Sequence, residues 1–350
     1  VRWEHLRLDG AEESPALIER GAVTRVFDTP GFRGMTFYEV RARSIINEVP
    51  GASRVPFRFT VNPYRGCSHG CVGCFARNSH TYLDLDSGHD FDSRIVVKVN
   101  APEALRRELA TPKWRVRNAG EPIALGTNVD CYQRAEGRYR LMPGIISALR
   151  DTGHPFSILT RGPLILRDLD LLADAAQHVD VGLNVSVPFV DDGLSRLFEP
   201  GAANPSARLR ICAALTERGL DCGVLMAPIL PYLSDSPRQL AATVRAIAEA
   251  GATRIMPIVL HLRPGAREWY LAWLREHHPG LLPRYAELYR GGSYAPKAYQ
   301  RRIAERVRAL AREHGIGRHA PTARSAGPAE SVPEAPRAPQ RPRATQLSLL

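Results

Sequence analysis

Long apolar runs are missing from this chain of 350 residues. No stretch approaches the roughly 20 consecutive apolar residues that a membrane-spanning helix needs. The opening residues Val1-Arg2-Trp3-Glu4-His5 carry no apolar signal core, so a cytoplasmic protein with no membrane partner is expected. Lysine is nearly absent, supplying three of the 47 basic residues, with arginine as the rest. No helix-length segment carries a continuous basic stripe. The formal net charge of +11 still favours polyanionic partners such as nucleic acid. The same arginine and alanine excess is what a GC-rich gene writes. Cysteine is scarce, at six residues, and a reducing compartment keeps such residues as thiols. Cys212 and Cys222 are scattered and read as buried structural thiols.

Three cysteines stand together. Cys67, Cys71 and Cys74 lie in Asn-Pro-Tyr-Arg-Gly-Cys-Ser-His-Gly-Cys-Val-Gly-Cys, with the spacing C-x3-C-x2-C. Zinc sites and paired-cysteine redox sites prefer an even number of thiols. Three thiolates on one short loop suit a cube-shaped iron–sulfur cluster, because such clusters select soft ligands. Three ligands leave one of the four irons open, and an open iron can hold a substrate. Two other readings of the same residues are a zinc site completed by His69 or His80, and a set of buried free thiols.

The flanks are more specific than the spacing. Asn62-Pro63-Tyr64-Arg65-Gly66-Cys67, His69-Gly70-Cys71 and Cys74-Phe75-Ala76-Arg77 form one block. Ala124-Leu125-Gly126-Thr127-Asn128-Val129-Asp130 with Tyr132-Gln133 forms a second. Together they resemble the radical S-adenosylmethionine (radical SAM) superfamily, in the branch related to spore photoproduct lyase. The resemblance runs over about residues 40 to 310. It implies a [4Fe–4S] cluster on Cys67, Cys71 and Cys74 whose open iron chelates the amino and carboxylate groups of SAM. It also implies that the reduced cluster cleaves the sulfonium and releases a 5′-deoxyadenosyl radical. Cluster potentials span roughly −700 to +450 mV, and this step needs the low end. An external electron donor of flavodoxin or ferredoxin type is therefore expected as a partner.

Strand-like apolar runs alternate with helix-like segments. The strands are expected at Phe57–Val61, Ile123–Gly126, Phe156–Thr160, Val179–Val187, Cys222–Pro228 and Arg254–Leu260. Helices are expected at Ala101–Leu109 (capped by Asn100), Pro143–Arg150, Leu164–Ala176, Arg208–Arg218 and Pro237–Glu249. Such β-then-α units imply parallel strands with right-handed crossovers, buried on both faces. The fold class is α/β, and the units resemble the partial (β/α)6 TIM-type barrel of radical SAM enzymes; a full eight-unit barrel also fits the periodicity. The expected organisation is an N-terminal lead-in over 1–50, the barrel core over 51–265 and a C-terminal helical cap over 266–316. Within the lead-in, Arg41–Asn47 reads as a short helix or strand over the cysteine loop. In the cap, Glu268–Arg275 and Ala298–His314 read as helices around an irregular Pro279–Pro296 stretch. The Pro-, Ala-, Arg- and Ser-rich segment 317–350 is expected to be disordered.

Functional residues belong at the C-terminal ends of barrel strands. The resemblance places Gly126, Thr127 and Asn128 at the SAM amino group, with Asp130 as an acceptor for it. Arg161, after strand three, then meets the SAM carboxylate in a bidentate fork. Asn184 and Ser186, two apart on one strand, share a face and suit the ribose hydroxyls. Met226 and Phe75 are candidate adenine contacts, and His261 a candidate for substrate contact or proton transfer. Each has a structural reading as well: a tight turn, a surface ion pair, a satisfied core network or plain packing.

Two departures from relatives stand out. They place an aromatic residue just before the third cysteine, where this chain has Gly73. Spore photoproduct lyase has a hydrogen-donating cysteine in its strand-two turn, and Gly126 occupies that place here. Cys131, or Tyr132 beside it, is the nearest candidate for a radical relay. Gln346-Leu347-Ser348-Leu349-Leu350 at the end of the chain resembles the peptide by which repair and replication proteins hold the DNA sliding clamp. The favoured function is a radical SAM enzyme, lyase-like and acting on DNA in repair. The alternatives are the same chemistry on a protein or metabolite, and a non-catalytic zinc-stabilised or clamp-associated binding module.

Overall fold

The computed structural model describes residues 22–50 and 55–317. The first part of the lead-in, the tail and its clamp-like peptide Gln346–Leu350 lie outside the described residues. In chain order the strands are β1 (Val23–Val26), β2 (Thr36–Val40), β3 (Ile46–Glu48), β4 (Phe59–Val61), β5 (Tyr64–Arg65) and β6 (Arg94–Lys98). They continue as β7 (Ile123–Leu125), β8 (Phe156–Thr160), β9 (Val181–Ser186), β10 (Cys222–Ile229) and β11 (Arg254–Val259).

Apolar runs separated by helices build a parallel sheet, and β4, β7, β8, β9, β10 and β11 pair in parallel in that order. Each of these six strands lies within two residues of its expected ends. The sheet is open and mixed α/β, like a partial TIM barrel. Its β4 edge is extended by β3, which pairs antiparallel. Arg41–Asn47 thus ends in a strand, and that strand joins the barrel sheet.

A second sheet was not legible in the sequence. Its order is β1-β2-β6-β5, with β2 and β6 parallel and both outer pairings antiparallel. The lead-in therefore shares a sheet with β5 and β6, which flank the cysteine loop on either side in the chain.

Helix starts follow local chemistry. The pairs Thr111-Pro112, Asn204-Pro205 and Ser236-Pro237 each put a side-chain acceptor on a free backbone N–H and a proline in the first turn. Helices Ala101–Leu109 and Pro237–Glu249 have their expected bounds. Asn100 is a correction: it stands at the cap position but makes no side-chain cap bond. Its amide instead pairs with both backbone groups of Ala42, at 2.7 and 2.9 Å. The cap contains the expected helices as Ala266–His277 and Lys297–Glu313, and Leu282–Leu288 adds a helix in the stretch read as irregular. The last helix packs on β11 and on helix Pro237–Glu249. No helix among the described residues is long and apolar enough to cross a membrane.

Candidate active site

The cysteine loop leaves the small sheet at β5 and lies over the C-terminal ends of the barrel strands. Cys67, Cys71 and Cys74 all line one cavity there. Gly126, Thr127, Asn128, Asp130, Arg161, Ser186, Phe75 and His261 line the same cavity. Parallel strands end on one side of the sheet, so residues distant in sequence converge there.

The loop is held from several directions. Arg77, fully buried, donates through Nε to the Cys71 carbonyl at 3.0 Å and forks onto Asp92 at 2.9 Å. Its remaining Nη1 donates to the carbonyls of Ser87 and Gly88. Gln133 accepts from Ser68 N at 3.0 Å and donates to Gly66 O at 2.9 Å. Phe198 O accepts from Val72 N and His69 O from Gly201 N, each at 2.9 Å. A Cβ at Gly201 would collide with the Ser68 carbonyl, so glycine lets the backbones meet.

Asp130 is the junction of three elements. It accepts from Thr160 Oγ1 (2.6 Å), Arg161 N (2.8 Å) and Tyr132 N (2.9 Å), and lies 3.0 Å from His69 Nε2. Burial pushes its carboxyl up, but the His69 charge and these hydrogen bonds hold it well below the usual carboxylate range. The carboxylate therefore ties the turn after β7, the end of β8 and the cysteine loop together.

Burial pushes the Cys71 thiol up to about 12, against the downward pull of Arg161. Burial also raises Cys67 and Cys74. Without metal these are neutral thiols, and binding iron removes their protons. Arg161 Nη1 lies 3.1 Å from Cys71 Sγ, and Nη2 donates to Ser186 Oγ at 2.6 Å. Its Nε is buried without a hydrogen-bond partner, as is the hydroxyl of Thr127. A Cβ at Gly126 (φ +81°) would collide with the Leu159 carbonyl, so position 126 admits no side chain and no thiol. These orphaned donors and the bare turn share one cavity with three thiols, which fits a cluster with a small polar ligand. Among the described residues no three His, Cys, Asp or Glu side chains converge on a single metal ion. His69 is engaged by Asp130, and His80 Nε2 lies 2.9 Å from Arg94 O. Neither imidazole lines the cavity.

Some expected residues are elsewhere. Strand alternation puts Leu225 and Ala227 on the cavity wall and turns Met226, fully buried, to the opposite face. Met226, expected at the adenine, is thus absent from the cavity lining, whereas its neighbours Leu225 and Ala227 belong to it. Asn184 shares the face of Ser186 but sits one pleat deeper, opposite Gly223, and does not reach the cavity lining. A Cβ on Gly223 would strike its side-chain oxygen. Cys131 and Tyr132 also stand behind the wall. Cys131 is fully buried, and Tyr132 donates to Asp168 at 3.0 Å. His261 reaches the cavity, and burial with the Arg263 charge lowers its pKa.

Phe198, Glu199 and Arg208 were not singled out from the sequence. Phe198 lines the cavity, and a Cβ on Gly73 would come within 2.8 Å of its ring. Glu199 lines the cavity too and pairs with the fully buried Arg208 at 2.5 Å. Its other oxygen lies 3.7 Å from Arg161 and 3.8 Å from Cys71 Sγ. Nothing in the sequence pairs Glu199 with Arg208, although Glu199-Pro200-Gly201 marks a turn.

Residues 61–255 match the sequence profile of the Radical SAM superfamily. The uncharacterised protein Rv2578c of Mycobacterium tuberculosis is 49% identical over 305 residues, covering 87% of this chain and 88% of the relative. The uncharacterised protein MJ0683 of Methanocaldococcus jannaschii is 27% identical over 199 residues, covering 56% of this chain and 69% of its own. Among solved structures, a cysteine-to-serine mutant of spore photoproduct lyase superposes with a TM-score of 0.61 at 14% identity, over 80% of each chain. Another mutant of that lyase, with bound AdoMet and dinucleoside spore photoproduct, gives a TM-score of 0.59 at 13% identity, again over 80% of each. Profile and relatives agree with the cysteine-lined cavity at the strand ends: this chain belongs to the radical SAM superfamily and is an enzyme of it.

Proposed function

We propose that Cys67, Cys71 and Cys74 hold a [4Fe–4S] cluster at which SAM is reductively cleaved, and that the substrate is nucleic acid. The observation that carries the chemistry is that three thiols line one cavity together with Gly126-Thr127-Asn128 and Arg161. When bound, the cluster supplies one electron to the sulfonium and so generates the 5′-deoxyadenosyl radical. The electron comes from an external low-potential donor of flavodoxin or ferredoxin type.

The chain's own residues bind and orient. The bare Gly126 turn lets the ammonium approach backbone carbonyls, and the orphaned Thr127 hydroxyl is a polar neighbour for it. Arg161, now 3.1 Å from the Cys71 sulfur, would hold the SAM carboxylate, a stronger charge-assisted partner. Ser186 is placed for ribose, and Leu225, Ala227, Ile258 and Leu260 give an apolar wall for adenine. Burial keeps water from the radical.

Nucleic acid is favoured by the net charge of +11 and by the fold shared with a lyase that holds a dinucleoside photoproduct. The lyase's reaction does not follow, because position 126 excludes a side chain. The test is anaerobic reconstitution with iron and sulfide, reduction by dithionite, and assay of 5′-deoxyadenosine with intact and damaged DNA. A brown protein with DNA-stimulated SAM cleavage is expected. A colourless protein with stoichiometric zinc would overturn the reading.

A further inference from the structure

The rim of the cavity carries rings that cofactor docking leaves unused. His261 follows β11 and lines the cavity. Tyr294 stacks on it, with ring centroids 5.5 Å apart and planes inclined by 27°. Phe75 also lies beside His261, with ring centroids 5.9 Å apart. Tyr294 is 53% exposed and Phe75 37%, so the group carries aromatic surface into solvent, most of it on Tyr294. An arginine completes it: Arg263, itself exposed, lies over the Phe75 ring at 5.6 Å and donates to the Tyr294 hydroxyl at 3.2 Å.

This group is built rather than accidental. His261 and Tyr294 form an antiparallel backbone bridge. Leu262 N donates to Ser293 O at 2.7 Å. The loop bearing Tyr294 is thereby pinned to the strand end bearing His261. A large exposed ring pinned against a cavity-lining residue is poorly solvated and loses little entropy when it binds a planar partner.

We propose that Tyr294, His261 and Arg263 form a stacking platform for an unpaired nucleotide, the base lying on the open face of Tyr294 and its phosphate meeting Arg263. This rests on the nucleic-acid reading above and adds the form of the substrate: a single-stranded or extruded nucleotide instead of an intact duplex. Aromatic faces beside a guanidinium are how proteins take unstacked bases. A paired base inside a duplex offers no free face to Tyr294.

The test is anisotropy of a labelled single-stranded DNA oligomer, and of the same sequence as duplex, on reconstituted full-length enzyme. A 2-aminopurine base in the oligomer reports stacking by quenching. Single strand is expected to bind more tightly than duplex and to be quenched. Tyr294→Ala should weaken single-strand binding by about tenfold and remove the quenching, whereas Tyr294→Phe, which keeps the ring, should retain both. Arg263→Ala should lower the slope of log affinity against log salt by about one. Equal binding by Tyr294→Ala and the native protein would overturn the platform, as would equal affinity for duplex. A matching loss of SAM affinity in Tyr294→Ala would assign the ring to the cofactor and also overturn it. Ring-dependent quenching in a protein that makes no 5′-deoxyadenosine would support the platform while removing the radical chemistry.

Discussion

Gly73 shows how one residue reads differently before and after folding. In the sequence it is a missing aromatic. In the fold its place is crowded: a methyl added there would sit 2.8 Å from Phe198 and 3.0 Å from Leu260, so a ring reaches the same wall from another element. Gly73→Ala is expected to destabilise by about 1–3 kcal/mol through overpacking. Phe198→Leu in the same chain should recover part of that loss, a coupling that urea unfolding of the double-mutant cycle would measure. Asp130 offers a second test. Asp130→Ala strands Thr160 Oγ1, two backbone N–H groups and His69, each costing about 1–3 kcal/mol where it stays buried and unpaired. Iron per chain after reconstitution should fall well below one cluster although all three cysteines remain. Full loading would show that His69 and the cysteine loop hold their place without this carboxylate. Motif residues such as the cysteines and Arg161 were legible because their chemistry is local. Met226 was misplaced because a strand's facing depends on register, and one residue reverses it.

At the scale of elements, the turn Phe198–Gly201 acts as a brace on the cysteine loop. It meets the loop by two backbone hydrogen bonds and brings Glu199 to Cys71 and Arg161. Glu199 is itself held by Arg208, both fully buried. Removing one partner of such a pair leaves an uncompensated charge in the interior. Glu199→Ala is therefore expected to cost about 3–5 kcal/mol, and Glu199→Leu with Arg208→Met considerably less. Chemical denaturation of the single and paired variants decides this; equal losses would show that a stranded Arg208 charge is not the source of the cost. The six parallel strands were readable because apolar runs are written locally, whereas the Asn204-Pro205 start was passed over and that helix was expected only from Arg208. The brace was not, because a turn between β9 and the helix Pro205–Glu217 carries no mark of which distant loop it will touch.

The whole molecule grips the cysteine loop between two sheets. β5 delivers the chain to Cys67 from the small sheet, and Cys67 N donates to Phe91 O, just before β6, at 2.9 Å. Tyr64 on β5 reaches across to Glu136 at 2.5 Å, while Gln133 clamps the loop from the barrel side. The lead-in completes this frame, since β2 is the parallel neighbour of β6. Asn100, just before helix Ala101–Leu109, and Glu108, within it, staple the lead-in down. Asn100 holds Ala42, and Glu108 accepts from Ile45 N at 2.5 Å and Ser44 Oγ at 2.9 Å. Neither Asn100 nor Glu108, nor the lead-in residues they hold, lines the cavity. If the frame sets the loop, then loosening it should be felt at the metal. Asn100→Ala with Glu108→Ala is expected to speed hydrogen exchange over residues 36–48 and to shorten the lifetime of a reconstituted cluster against chelator, with every ligand intact. Faster exchange with an unchanged cluster lifetime would mean that the barrel and the Phe198–Gly201 brace suffice, and that the small sheet only covers the core.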